Sequence, residues 1–264
     1  MSENWILTQP KGYIFEIILN RPDKRNAIHA QLLSDLAEAV GEAEKHPDAR
    51  LIVIRGEGKA FSTGLDLLAI GGSVEMFGPD WMENPHIVTR HWQRTISRLT
   101  ESTLPTIALI HGYCLGAGLE LALACDFRYA AEGSIISLEE TRLGIIPDAG
   151  GTTRLMGLIG IARAKEMIFT AKRIDATTAE KWGLVHYVMP KADLANAAAA
   201  LAEQIAGCAP LAVAAAKRVI QGIADEATGL HLEAIEQAPL FKTRDIQEGM
   251  QAAIERRPAE WKRR

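Results

Sequence analysis

Glu120 is the residue of this sequence that most needs a chemical explanation. It lies in an apolar run, residues 107–125, which breaks at Gly112 and again at Gly116-Ala117-Gly118. This pattern predicts a buried strand, a glycine-containing turn and a buried helix that begins near Gly116. The first N–H groups of such a helix lack intrahelical partners and can bind an anion, whereas a buried carboxylate is costly unless it is paired or used.

Two further loops place polar residues directly after apolar strands. Gly64-Leu65-Asp66 follows an apolar strand at 51–55, and the segment from Glu140 to Asp148 follows a strand near 126–130. Loops that follow parallel strands gather at one edge of a sheet, so we expect these loops to meet the turn at Gly116. Backbone donors there would hold a developing oxyanion and the carboxylates would move protons, which is the chemistry of an enzyme.

Each acidic residue also has a structural alternative. Glu120 can be a core carboxylate paired with an arginine such as Arg128, and Asp148 can cap the helix that follows it. The residue pattern alone does not choose between Glu139 and Glu140.

The elements that must position these residues alternate between strands and helices, which predicts an α/β core. Strands are expected at 13–19, 51–55, 126–130 and 184–188, with helices at 29–46 and 86–101. Residues 71–85 contain several glycines and prolines and are predicted to form a long loop that acts as a lid or pocket wall. The remaining predicted helices are 161–170, 176–182, 193–207, 210–224, 228–241 and 245–256. We therefore divide the chain into an α/β region, 1–192, and a helical region, 193–264.

Composition limits the class of protein. The chain has 264 residues, of which 48% are hydrophobic and 23% are charged, and its net charge is −4, so no nucleic-acid partner is predicted. No segment reaches the roughly 20 apolar residues of a membrane span, and the first residues lack a signal-peptide pattern. We expect a cytoplasmic protein without a membrane partner. No cluster of histidines and carboxylates predicts a metal, and the three cysteines are interpreted as reduced thiols.

Seven segments occur in order over nearly the whole chain: Asn20-Arg-Pro-Asp-Lys-Arg-Asn-Ala27, Ala60-Phe-Ser-Thr-Gly-Leu-Asp66, His111-Gly-Tyr-Cys-Leu-Gly-Ala-Gly-Leu-Glu120, 125–126, 140–152, 183–185 and 248–250. This ordered set resembles the enoyl-CoA hydratase/isomerase (crotonase) superfamily. The resemblance implies an α/β fold, a crotonase-like spiral of ββα turns with a helical C-terminal region. It also implies an acyl-CoA thioester substrate, no cofactor beyond the CoA of that substrate, and a homotrimer or dimer of trimers.

The resemblance also implies roles for the acidic and backbone groups. The N–H groups of Leu65 and Ala117 would form an oxyanion hole around the thioester carbonyl, although many relatives have glycine where this chain has Ala117. Glu120 and Glu140 match the paired glutamates of hydratases, where one activates a water and the other protonates the α-carbon. At the position of Asp148 many hydratases have glycine, whereas the dienoyl-CoA isomerases of the superfamily have an aspartate at this spacing after the glutamate.

The residues that would bind CoA follow from the same resemblance. Lys24 and Arg25 would contact its phosphates, although a solvated loop is the alternative, and Ala27 would contact the adenine end through its backbone. Phe241 would close over CoA, with core packing as its alternative. The full set predicted to bind substrate or CoA is Lys24, Arg25, Ala27, Gly64, Asp66, Gly116 and Phe241.

The predicted activity is the reversible addition of water to a 2-enoyl-CoA thioester. The first alternative is a Δ3,5-Δ2,4-dienoyl-CoA isomerase, or a related enoyl-CoA isomerase, that uses Glu140 and Asp148. The second is a non-catalytic relative that binds acyl-CoA or RNA, which the acidic net charge and the presence of both glutamates disfavour.

Overall fold

A computed structural model describes residues 4–67, 77–78, 83, 86–223, 243–255 and 257–262. In this part of the chain, single strands or pairs of strands alternate with helices up to β9, and the elements after β9 are helical. The strands are β1 (Ile6–Lys11), β2 (Ile14–Leu19), β3 (Leu51–Gly56), β4 (Thr106–Ile110), β5 (Tyr113–Leu115), β6 (Phe127–Ala131), β7 (Ile135–Ser137), β8 (Ile174–Asp175) and β9 (Tyr187–Met189). The helices are α1 (Ala30–Lys45), α2 (His86–Glu101), α3 (Ala117–Leu123), α4 (Gly151–Thr170), α5 (Ala176–Lys181), α6 (Leu194–Ala206), α7 (Pro210–Gly222) and α8 (Arg244–Glu255).

Two sheets organise the described part of the chain. The larger one has the strand order β1-β2-β3-β4-β6-β9, in which β1 and β2 are antiparallel and the following pairs are parallel. The smaller one has the order β5-β7-β8. After β4 the chain turns at Gly112, where φ is 62°, and continues as β5 in the smaller sheet. This change of sheet brings the start of α3 to the junction between the two sheets.

The larger sheet is covered on both faces, and for this reason its central strands β3 and β4 are mostly apolar. Along β3 and β4 successive side chains alternate between two cores. Ile52, Ile54, Ala108 and Ile110 face the core formed with helices α1 to α4. The side chains between them, together with Leu194, Ala198 and Ala202 of α6, form the second core. The predicted α/β fold with a helical C-terminal region is confirmed.

Some elements differ from those that the sequence predicts. Strand β1 was not predicted, and α4 begins at Gly151 and not near 161, with a non-helical residue at Gly160 (φ 77°, ψ 161°). The last predicted strand, 184–188, is shifted to β9. The predicted helix 228–241 and most of the predicted loop 71–85 lie outside the described residues.

The helices after β9 are attached to the sheet by apolar and polar contacts. The Lys217 ammonium, on α7, donates to the carbonyl oxygens of Leu99 and Leu104 and pairs with Asp126 at 2.7 Å. The division near residue 192 stays a prediction. Among the described helices none is by itself long and apolar enough to cross a membrane; Lys191–Ala206 and Pro210–Gly222 meet the length and composition test only as a pair, bent by 105°.

Candidate active site

The loop that contains Gly64 and Leu65 packs directly against the start of α3. Ser62 N donates to Tyr113 O (3.0 Å), and Leu115 N donates to Ser62 O (3.0 Å). Gly64 has a φ of 87°, and a Cβ there would lie 2.7 Å from Leu115 O and 3.3 Å from the Ala117 nitrogen. Because this approach is so close, the position requires glycine.

The two predicted oxyanion donors therefore come from neighbouring segments. Ile28 N donates to Gly64 O and Asp66 N donates to Ile28 O, which fixes the backbone on both sides of Leu65. Among the described residues no acceptor is found for the N–H of Leu65 or for that of Ala117, the first residue of α3. Both N–H groups thus remain able to bind a ligand oxygen.

Two buried polar side chains that the sequence analysis did not single out support this loop. Asn26, at φ 56°, donates through Nδ2 to Glu57 O and Ala60 O. Ser62 Oγ donates to Asn26 O (2.8 Å) and accepts from Gly64 N (3.1 Å). Asparagine tolerates a positive φ better than most residues. An asparagine inside a loop was therefore the sequence signal that could have indicated this conformation.

Glu120 is buried, with 3% of its surface exposed, and faces the turn before α4. Its Oε1 accepts hydrogen bonds from Ala149 N (2.9 Å) and Gly151 N (2.8 Å). The pairing with Arg128 considered above is wrong, because that guanidinium donates to the carbonyl oxygens of Cys125 and Leu184. Burial raises the pKa of Glu120 to about 7, helped by the nearby charge of Glu140 and opposed by the Gly151 N–H.

Glu140 lies against Gly116, the residue that precedes α3. A Cβ on Gly116 would lie 2.9 Å from Glu140 Oε1, and the charge of Glu140 is near enough to Glu120, on the first turn of α3, to raise its pKa. Oε2 of Glu140 is buried and has no hydrogen-bond partner among the described residues. Burial raises the pKa of Glu140, and the charges of Asp148 and Glu139 act in the same direction.

The structure distinguishes Glu140 from its neighbour Glu139. Both oxygens of Glu139 accept from Arg173, and Oε1 also accepts from Ser137 Oγ (3.0 Å). These hydrogen bonds, above all that from Arg173, lower the pKa of Glu139. Glu139 is therefore a paired surface carboxylate, whereas Glu140 is the one beside Gly116.

Asp148 is exposed and lies close enough to both glutamates for its charge to raise the pKa of each. Its Oδ2 accepts from Thr89 Oγ1 at 2.5 Å. The interpretation of Asp148 as the cap of the next helix is wrong, because the N-cap of α4 is Gly150, at φ 108°, without a side-chain cap bond. The three predicted carboxylates are thus brought together, with Asp148 at the outer side.

The predicted CoA-binding loops are also brought together. Arg21 pairs with Asp66 (2.9 Å) and donates to Ala27 O (2.5 Å), which joins the 21–27 loop to the loop at Gly64. Lys24 and Arg25 are exposed beside this junction, and Arg25 O accepts from Thr63 N (3.1 Å). Phe241 lies outside the described residues. Within the part of the chain that the structure describes, no group of three or more His, Cys, Asp or Glu side chains could hold a metal ion.

The burial of Glu120 leads to a testable effect on the stability of the protein. Since the pKa of Glu120 is about 7 in the folded chain and ordinarily 4.5, the folded state binds more protons between these values, and the free energy of unfolding falls as the pH rises through them. We expect Glu120→Gln to remove this loss. The free energy of unfolding of the variant should then exceed that of the wild type by roughly 3 kcal/mol at pH 8 and by little at acidic pH. Urea unfolding at several pH values measures the difference, and a gain that does not depend on pH would contradict this account.

The fold and the site together define an α/β protein with two buried carboxyl groups beside two N–H groups that lack an acceptor among the described residues. Comparison with known proteins agrees with this class. The family model for enoyl-CoA hydratase/isomerase matches residues 9–264. A crystal structure of enoyl-CoA hydratase from Bacillus anthracis has a TM-score of 0.90 and 38% identity, covering 98% of this chain and 100% of that one.

Two curated relatives extend over nearly the same length. Enoyl-CoA isomerase/hydratase fer4 of Mycosarcoma maydis is 37% identical over 92% of this chain and 90% of its own length. Carnitinyl-CoA dehydratase of Salmonella paratyphi A is 36% identical over 100% of both chains. The chain belongs to the enoyl-CoA hydratase/isomerase family, and it is an enzyme of this kind with the crotonase fold that the sequence predicted.

Proposed function

We propose that this enzyme adds water reversibly to the double bond of a 2-enoyl-CoA thioester. The observation that carries the proposal is that Glu140 Oε1 lies against Gly116, directly before the N–H of Ala117, while the buried Glu120 carboxyl group of the same short helix is close enough for the Glu140 charge to raise its pKa. A thioester oxygen bound by the N–H groups of Leu65 and Ala117 would have its acyl chain beside both carboxyl groups. No other arrangement is needed for hydration, because a base, an acid and an oxyanion site are the required groups.

The reaction balances with these groups alone. A water held by the two glutamates gives its proton to one carboxylate while its oxygen forms a bond to C3 of the acyl chain. The electrons of the double bond move onto the thioester oxygen, where the two N–H groups and the start of α3 stabilise the enolate. The other glutamate then donates a proton to C2, which restores the thioester carbonyl and leaves a 3-hydroxyacyl-CoA.

The raised pKa values of both glutamates fit this mechanism. Two nearby buried carboxyl groups do not both ionise easily, so near neutral pH the pair would hold one proton and one charge. That protonation state supplies an acid and a base at the same time.

Assays of the purified enzyme test the proposal directly. Crotonyl-CoA should lose the ultraviolet absorbance of its conjugated thioester as 3-hydroxybutyryl-CoA forms, and the reverse reaction should restore it. If the folded enzyme catalysed neither direction with short or long 2-enoyl thioesters, hydration would be the wrong activity. Among the relatives, fer4 is named an enoyl-CoA isomerase/hydratase and the Salmonella protein is named a carnitinyl-CoA dehydratase.

A second candidate, double-bond isomerisation by Glu140 and Asp148, has support from the closeness of Asp148 to both glutamates. The hydrogen bond from Thr89 and the exposure of Asp148 favour hydration as the main activity. We expect Asp148→Asn to keep crotonyl-CoA hydration within about threefold, because the amide oxygen of asparagine can still accept the hydrogen bond from Thr89 Oγ1 that holds this turn. Loss of 3,5-dienoyl-CoA isomerisation by the same variant, with hydration also absent from the wild type, would favour isomerisation.

CoA binding and assembly form part of the proposal. Lys24 and Arg25 would meet the CoA phosphates, since both are exposed beside the loop at Gly64. We also propose a homotrimer or dimer of trimers, supported by large apolar side chains that are exposed before and along α4, among them Ile146 (64%), Ile161 (59%) and Phe169 (73%). The cytoplasmic location stays a prediction.

A further inference from the structure

Helix α2 contacts the turn before α4 through one row of polar side chains. Thr89, Gln93 and Ser97 are spaced four residues apart and therefore lie along one face of the helix. The buried side chains Trp92, Ile96 and Leu99 of the same helix enter the main core. The polar row is thus held in place by a packed helix, although its own members are only partly buried or exposed.

Each member of this row contacts residues 148–151, which we call the carboxylate turn, directly or through one side chain. Thr89 Oγ1 donates to Asp148 Oδ2 (2.5 Å), and Gln93 Nε2 donates to Asp148 O (2.7 Å). Ser97 Oγ accepts from Arg154 Nη2 (2.9 Å), and Nη1 of the same guanidinium donates to Ala149 O (3.0 Å). The side chain of Asp148 and the carbonyl groups of Asp148 and Ala149 are therefore held by hydrogen bonds on the side of the turn that faces α2.

The opposite side of the carboxylate turn holds Glu120. The N–H groups of Ala149 and Gly151 both donate to Glu120 Oε1. The N–H of Ala149 belongs to the same peptide unit as Asp148 O, to which Gln93 donates. The N–H of Gly151 belongs to the peptide unit after the one that contains Ala149 O, to which Arg154 donates. A shift of the turn away from α2 would lengthen the bonds to Glu120 and move its carboxyl group relative to Gly116.

We propose that Thr89, Gln93 and Ser97 are positioning residues that hold the carboxylate turn and thereby set the orientation and acid strength of Glu120. The proposal rests on the proposed function only for its effect on turnover. The charged and titratable groups that act on Glu120 are Glu140 and Asp148, which disfavour its ionised form, and Arg154, which favours it. The hydrogen bonds from Ala149 and Gly151 also favour the ionised form, so weakening them must raise the pKa of Glu120.

Single substitutions in the polar row test this inference. The variants are Thr89→Val, Gln93→Leu and Ser97→Ala. The matched control is Thr95→Val, because among the described residues the hydroxyl of Thr95 donates to carbonyl oxygens of its own helix, His91 O and Trp92 O, and not to the carboxylate turn. The carboxyl carbon of Glu120, in protein labelled with ¹³C-glutamate and assigned through Glu120→Gln, is titrated by NMR. We expect the pKa of Glu120 to rise above its wild-type value in the row variants and to stay unchanged in Thr95→Val.

Turnover provides the second readout. In Gln93→Leu we expect kcat for hydration to fall about 10- to 100-fold with little change in KM, since small misplacement of a catalytic group has effects of this size. In the Glu120→Gln background the same substitution should change kcat by less than about twofold, because its effect acts through Glu120.

The outcomes separate the inference from the function on which it depends. If wild-type enzyme hydrates no 2-enoyl thioester, the proposed function fails, while the NMR titration still tests the positioning role. An unchanged Glu120 titration in all three row variants overturns the positioning role, whatever the activity. An equal shift in Thr95→Val overturns it too, since the effect would then come from the helix as a whole.

Discussion

Replacement of Glu140 by glutamine is expected to lower kcat for hydration about 10²- to 10⁴-fold with little change in KM. Glutamine keeps the size of the side chain but cannot give or take the proton, and proton transfer by one positioned group contributes a factor of this size. Initial rates with crotonyl-CoA measure the effect. The matched control is Glu139→Gln, which changes the adjacent glutamate that pairs with Arg173, and it should stay within about threefold of the wild type.

Proton exchange at C2 can then assign the roles of the two glutamates. A variant that lacks the acid for C2 should lose exchange of that hydrogen with deuterated solvent, whereas a variant that lacks the base for water should keep part of it. Comparing Glu140→Gln with Glu120→Gln therefore shows which carboxyl group serves C2. Wild-type rates in both variants would leave the carboxylate mechanism without support.

Ala117→Pro is expected to lower kcat about 10²- to 10³-fold, because it deletes one of the two proposed oxyanion donors. Ala117 is the first residue of α3, and the first position of a helix tolerates proline because its N–H has no helical partner. The change removes the N–H, but Gly116 before it has φ 50° and ψ −127°, which is not the extended conformation favoured before proline, so it can also disturb the start of α3. Initial rates and far-ultraviolet circular dichroism, measured on the same preparation, separate these two effects.

The control for this substitution is Ala30→Pro, at the first position of α1. Its N-cap residue, His29, is already extended (φ −127°, ψ 168°), the conformation favoured before proline. We expect this variant to retain most of its activity. If Ala117→Pro kept wild-type kcat in a folded protein, the N–H of Ala117 would not contact the reacting oxygen.

The part of the fold that the sequence predicts well is the part determined by apolar periodicity. Strand β3 and helices α1 and α2 bury regular sets of side chains, and their ends lie within a residue or two of the predicted ends. Strand β1 was missed because four of its six residues are exposed at the edge of the sheet and no alternation is present to indicate a strand. The beginning of α4 was missed because Gly150, Gly151, Gly157 and Gly160 resemble a loop when the sequence is read locally.

The site shows a similar division between local and distant information. The positions of Glu120 and Ala117 on one short helix follow from their spacing, and the sequence predicted them together. The partners of Glu120 come from residues 149 and 151, and the partner of Asp148 comes from Thr89, which is 59 residues away. Such contacts depend on how separate elements pack, and no local pattern encodes them. This explains why both structural alternatives, an ion pair with Arg128 and a helix cap at Asp148, were plausible from sequence and wrong in the structure.

The two N–H groups that meet on a single oxygen of Glu120 restrict where its exchangeable hydrogen can reside. Oε1 already accepts from Ala149 and Gly151, and an oxygen that accepts two such bonds has little capacity left to carry a hydrogen of its own. The acidic hydrogen of Glu120 must therefore be found on Oε2. Glu120 would then give or take each proton through Oε2 alone, from one fixed direction. The carboxylate turn therefore determines the face of the substrate at which Glu120 acts.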